Sequence, residues 1–125
     1  PLAQDPQFAA RMAKVEIDLE NMKTTNLRVI AAVAHGSVPG AESSMLKIRG
    51  TEIRQEILSL IRRAMGPYAL PFIEAAQYEG YADAPVGPKE AATAAANYFN
   101  YRKLSIFGGS NEIQKNIISK MILGL

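Results

Sequence analysis

The densest run of residues able to do chemistry is Ile106-Phe107-Gly108-Gly109-Ser110-Asn111-Glu112-Ile113-Gln114. Two glycines lead straight into a segment that reads as a helix with Ser110 at its N-cap. The first turn of a helix presents unpaired N–H groups and partial positive charge, so it attracts anions. Glycines let a ligand approach the backbone closely. The same residues also suit a plain helix–helix turn with a serine cap. No Gly-Lys-Thr follows to complete a phosphate loop. His35 is the only histidine. By type it could be a base or a ligand, but its place at the end of a helical run suits a cap facing the helix dipole. Glu16 and Glu20 lie four apart, as do Glu52 and Glu56, a spacing that acid–base or metal carboxylates use. The Glu-x-x-His of bundle metal sites is absent, however. Lys14, Lys23, Arg49 and Arg54 stand among these carboxylates, so they read as solvated charged faces. The polar-aromatic run Asn97-Tyr98-Phe99-Asn100-Tyr101-Arg102 precedes the glycine loop. It either lines a ligand pocket or packs beneath the loop.

These residues need helices to position them. Residues 7–35 read as one long helix, with Asp5 as cap and Pro6 in the first turn. Phe8, Met12, Val15, Leu19, Met22, Val29 and Val33 recur at spacings of four and three, broken only by Asn26. Leu27, Ile30, Ala31 and Ala34 add a second apolar face, which implies burial against more than one partner. Gly36 and Pro39-Gly40 end the helix. Residues 41–65 repeat the pattern through Leu46, Ile53, Ile57, Leu60 and Ala64, with a neighbouring row of Met45, Ile48, Leu58, Ile61 and Met65. Gly50 permits close helix approach, and Gly66-Pro67 stops the segment. The short loop before it makes the first two helices antiparallel. Residues 66–89 hold prolines at 67, 71, 85 and 88 and read as an irregular connection with a short turn near Phe72 to Tyr78. Residues 89–104 and 110–123 give two further helices. No segment alternates with a period of two, so the expected fold is all-α, an antiparallel four-helix bundle, in one domain over 1–125.

Composition narrows the function classes. Apolar residues make up 48% and charged residues 21% of 125 residues, enough for a proper core. The net charge of +2 leaves no large basic field, which argues against a nucleic-acid surface. Absence of cysteine excludes disulfides, a thiol nucleophile and a zinc–cysteine site. No metal site is expected. No apolar run approaches the ~18 residues of a membrane span, and no signal-peptide pattern opens the chain, so the expected location is cytoplasmic. The first residue is Pro1 rather than Met, so the chain reads as a piece of a longer protein.

The stretch IFGGSNEIQKNIISKMILGL, from Ile106 to Leu125, closely resembles the C-terminal end of acyl-CoA dehydrogenases. The preceding YFNYRKLS, the opening PLAQDPQFAARMAKVEIDLE and the run through Met65-Gly66-Pro67 are similar to the same family. The resemblance covers nearly the whole chain and is weakest from Tyr68 to Glu90. It implies the C-terminal four-helix domain of an FAD-dependent oxidoreductase of fatty acid metabolism. Such enzymes form an α,β double bond in an acyl-CoA thioester: a carboxylate removes the α proton and FAD accepts the β hydride. By the same resemblance Gly109, Ser110 and Glu112 neighbour the flavin, and the Gly108 N–H lies near the thioester carbonyl, where a donor stabilises the developing enolate. Gly66 falls in the segment that meets the adenine side of a neighbouring subunit's FAD. The implied partners are acyl-CoA, an electron-transfer flavoprotein or similar acceptor, and further copies of the chain, tetrameric in the family.

Two positions depart from the family pattern. Medium- and short-chain members carry the catalytic glutamate where this chain has Gly108, and glycine cannot be a base; other members carry it on a helix that would precede Pro1. The family segment Gln-x-x-Gly-Gly-x-Gly is here Arg63-Ala64-Met65-Gly66-Pro67-Tyr68-Ala69, retaining only Gly66. No catalytic residue is therefore expected in this chain, and the chain alone is expected to be inactive. Two alternatives stand beside the enzyme reading: a non-catalytic subunit of a hetero-oligomeric dehydrogenase, and a helical oligomerisation module. A glutamate on the preceding helix distinguishes the enzyme from the non-catalytic subunit.

Overall fold

A computed structural model describes residues 2–83 and 86–124. Pro1, Pro85 and Leu125, which figure in the sequence reading, lie outside the described residues.

Four α-helices form: α1 (Pro6–Ala34), α2 (Ala41–Met65), α3 (Ala91–Asn100) and α4 (Asn111–Leu123). Among the described residues there is no strand, as the sequence predicts. The ends are set by local chemistry. The Asp5 carboxylate accepts from the Phe8 N–H at 2.7 Å, and Pro6 occupies the first turn of α1, where its missing N–H loses nothing. His35 is the C-cap residue of α1. Arg62 and Arg63 fall in the last turn of α2, where cations meet the dipole favourably. Its cap, Gly66, has φ of 54°, a backbone conformation that favours glycine.

The third helix is shorter than its sequence pattern. Residues 89–104 read as one helix, but the α-helix covers Ala91–Asn100 and then tightens into a 3-10 turn, Tyr101–Ser105. The Gln55 side-chain amide donates to the carbonyls of Tyr101 and Arg102 at 3.4 and 3.2 Å. Those end carbonyls thus find a partner on α2 instead of continuing the helix. The irregular connection before α3 contains the 3-10 turns Gly66–Ala69 and Ala75–Gln77.

α2 is the spine and packs against α1, α3 and α4. Arg11 meets Glu56 and Asp18 meets Arg49, a descending register that makes α1 antiparallel to α2. Tyr98 near Arg62 and Arg102 near Gln55 make α3 antiparallel to α2 in the same way. Val15, Ile53 and Leu60 form the buried centre of the α1–α2 seam, flanked by Phe8, Met22 and Ile57. A side chain at Gly50 would sit 3.5 Å from the Met22 methyl, so the helices do approach closely there. α3 reaches the core through Ala91, Ala92, Ala94 and Ala95, all buried.

The second apolar face of α1 implies a partner beyond α2, and within the chain that face stays uncovered. The only buried residue of α1 among those described is Val15, and Met12, Ile17, Leu19, Leu27, Ile30 and Val33 remain exposed. α1 packs on α2 and the short turn before it, and one helix can cover only one stripe of another.

Candidate functional site

The glycine loop joins the 3-10 turn after α3 to the start of α4. Gly108 and Gly109 have φ of 68° and 83°, so both need the left-handed freedom of glycine. A side chain at Gly108 would meet nothing within 4 Å, whereas one at Gly109 would lie 2.6 Å from Gln114 Nε2. That amide reaches back and donates to the Gly108 carbonyl at 3.3 Å. Among the described residues the N–H groups of Gly108 and Gly109 have no acceptor. The loop therefore offers two free donors at the mouth of a helix, held by a strap from the following turn.

Ser110 caps α4, its Oγ accepting from the Ile113 N–H at 3.3 Å. Glu112 stands in the first turn. Its carboxyl is held below the usual carboxylate range by its own backbone N–H and the Ser110 hydroxyl, with smaller help from Lys115 and Lys47. It is charged at neutral pH and turned to the helix terminus, where a carboxylate is stabilised.

The sequence reading missed what ties this loop to α2. Lys47 Nζ donates to Asn111 Oδ1 at 2.9 Å, and Asn111 Nδ2 donates to Thr51 Oγ1 at 3.3 Å. The Thr51 hydroxyl donates to the Ile48 carbonyl at 2.7 Å and is buried. A polar residue at 51 inside the apolar rows of α2 was the one signal available. Buried hydroxyls almost always have a partner; this one donates within α2 and accepts from Asn111, the first residue of α4.

Gly108, Gly109, Ser110 and Glu112 thus sit together. Gly66 does not join them. It caps the far end of α2, fifteen residues beyond Thr51, or about 22 Å of helix rise. Three of the four paired carboxylates are engaged with cations: Glu52 with Arg49, Glu56 with Arg11 and Glu20 with Lys23. Among the described residues no three metal-binding side chains cluster, and no helix is long and apolar enough to cross a membrane. The Asn97–Arg102 run packs against α2, Arg102 Nη2 donating to the Gln55 carbonyl at 3.2 Å.

The capped start of α4, entered through two glycines, is anchored on α2 in an all-helical domain. Residues 1–123 match the acyl-CoA dehydrogenase C-terminal domain family, and the chain belongs to that family. No curated protein and no solved structure matches the chain.

Proposed function

We propose that the chain is the C-terminal domain of an FAD-dependent acyl-CoA dehydrogenase that introduces an α,β double bond into an acyl-CoA thioester. The observation that carries this reading is the family match over residues 1–123. The loop supports it. Free N–H groups at Gly108 and Gly109, with open space where a Gly108 side chain would stand, fit an electron-rich edge of a flavin or a thioester oxygen. In this reading Gly109, Ser110 and Glu112 hold the flavin, the Gly108 N–H donates to the thioester carbonyl, and Gly66 meets the adenine side of another subunit's FAD. FAD, when bound, supplies the hydride acceptor. The residues of this chain bind and orient; the base comes from outside it. Acyl-CoA is the substrate, and an electron-transfer flavoprotein or similar carrier takes the electrons in the cytoplasm.

Self-association belongs to the same reading. The exposed apolar residues of α1 and α4 (Ile17, Leu27, Ile30, Ile113, Met121 and Ile122) support burial against further copies, as in a tetramer. Gly108 sustains a second reading, the non-catalytic subunit of a hetero-oligomeric enzyme, because the position that holds a glutamate base in some members is glycine here, at positive φ.

The test is the full-length polypeptide that contains this sequence. It should purify yellow with a flavin spectrum, reduce an artificial acceptor with an acyl-CoA, and lose flavin in Gly109→Val. A colourless protein that turns over no acyl-CoA would remove the enzyme reading. Activity that appears only with a partner subunit would select the second.

A further inference from the structure

We propose that Lys47 is a positioning residue for the glycine loop: a cation on α2 that acts through Asn111 to set how tightly the loop holds FAD. The inference rests on the dehydrogenase reading above and adds to it a residue outside the loop.

Asn111 opens α4, directly after the Ser110 cap and two residues past Gly109. Its side-chain amide is held at both ends from α2. Lys47 Nζ donates to Oδ1 at 2.9 Å, and Nδ2 donates to Thr51 Oγ1 at 3.3 Å. Thr51 alone leaves the amide ambiguous. Its hydroxyl also lies 3.4 Å from Oδ1, and a hydroxyl can donate or accept. An ammonium only donates, so Lys47 decides which end of the amide faces which residue. With both ends fixed, the first turn of α4 is pinned to α2, and the two glycines lead straight into that turn.

The charge of Lys47 exceeds what this contact needs. A neutral donor would satisfy an amide oxygen, and partly burying an ammonium costs free energy. Lys47 is half-buried and forms no ion pair among the described residues. Its charge is felt at Glu112, whose carboxyl it helps to hold below the usual range. The charge therefore acts at the start of α4, where the other groups have the same polarity. The N–H groups of Gly108 and Gly109 meet no acceptor among the described residues, and the 13-residue helix α4 presents its positive end. An electron-rich part of FAD laid against the loop would balance donors and cation together.

The test uses the full-length polypeptide that contains this sequence, freed of flavin and titrated with FAD by flavin fluorescence. Lys47→Met keeps the apolar stem and removes the charge. It should weaken FAD binding about tenfold, the loss of one charge-assisted hydrogen bond, and Lys47→Arg should restore most of that affinity. Lys115→Met removes another charge felt at Glu112, one with no bond to Asn111, and should leave the affinity near wild type. Asn111→Ala should weaken FAD by itself, and adding Lys47→Met to it should cost nothing more. If Lys47→Met lacks the helical circular dichroism of the wild type, Asn111→Ala against Lys115→Met decides. Unchanged affinity in Lys47→Met or Asn111→Ala, an equal loss in Lys115→Met, no rescue by arginine, or additive losses in the double variant would overturn the role of Lys47 while leaving the dehydrogenase reading in place. A wild-type polypeptide that binds no FAD would remove that reading, and this role with it.

Discussion

The strap across the glycine loop makes a sharp prediction, because two adjacent glycines share a backbone conformation but not a neighbour. Gly108 and Gly109 both have positive φ. An alanine at either position carries the same kind of strain, about 1–2 kcal/mol, less about 0.4–1 kcal/mol from the stiffer unfolded chain. They differ in what the new methyl meets. At Gly108 it meets nothing within 4 Å; at Gly109 it lies 2.6 Å from Gln114 Nε2. No real methyl stays at that distance, so Gln114 must swing away and release the Gly108 carbonyl. An exposed hydrogen bond of this kind contributes about 0.5–1.5 kcal/mol. Gly109→Ala should therefore be less stable than Gly108→Ala by about 1 kcal/mol, a difference in melting temperature of roughly 4 °C for a chain of this length. The assay is thermal and urea unfolding followed by circular dichroism at the helical band. Repeating both substitutions with Gln114→Ala closes the cycle: with the strap gone, the gap between the two alanines should vanish. Equal losses at the two glycines, or a gap that survives Gln114→Ala, would refute the strap.

Four further outcomes follow from the packing and the charges. Asp18 is held below the usual carboxylate range by the hydrogen bond from Lys14 and by Arg49. A carboxyl with a lowered folded pKa adds stability above its unfolded value, near 3.9, and that stability is lost as pH falls through the folded value. Urea midpoints should thus drop below about pH 4, and less steeply in Asp18→Asn. Ile53→Ala, at the buried centre of the α1–α2 seam, should lose about 2–5 kcal/mol in urea unfolding. Ile17→Ser, on the exposed side of α1, should leave the fold intact but lower the association state in sedimentation. Thr51→Val keeps the shape but strips the acceptor from Asn111 Nδ2; a loss of about 1 kcal/mol is expected, with Lys47 still holding the other end of the amide.

The helices were legible where local chemistry fixes them. Asp5, Pro6, Ser110 and Gly66 act within a few residues of themselves, so the ends of α1, α2 and α4 fall within one residue of where their caps put them. The third helix was overextended because its terminator lies elsewhere. Gln55, more than forty residues earlier in the chain, takes the carbonyls that would have carried the helix on. No window centred on residues 89–104 contains that information. The anchor of the glycine loop escaped for the same reason: Lys47 and Thr51 meet Asn111 only after α2 and α4 pack.

The two apolar faces of α1 were legible as a stripe too wide for one partner, and within the chain α1 packs on α2 along one of them. A periodicity argument counts how wide a stripe is, but it does not say which molecule covers it. With α1 seated on α2 alone, Ile17, Leu27 and Ile30 stay in water. A helix that exposes so much apolar surface is suited to an interface. This bears on the glycine loop. Its donors, the N–H groups of Gly108 and Gly109, meet no acceptor among the described residues. A loop in water gains little from two N–H groups, because water already occupies them; the same groups become effective when a cover excludes solvent.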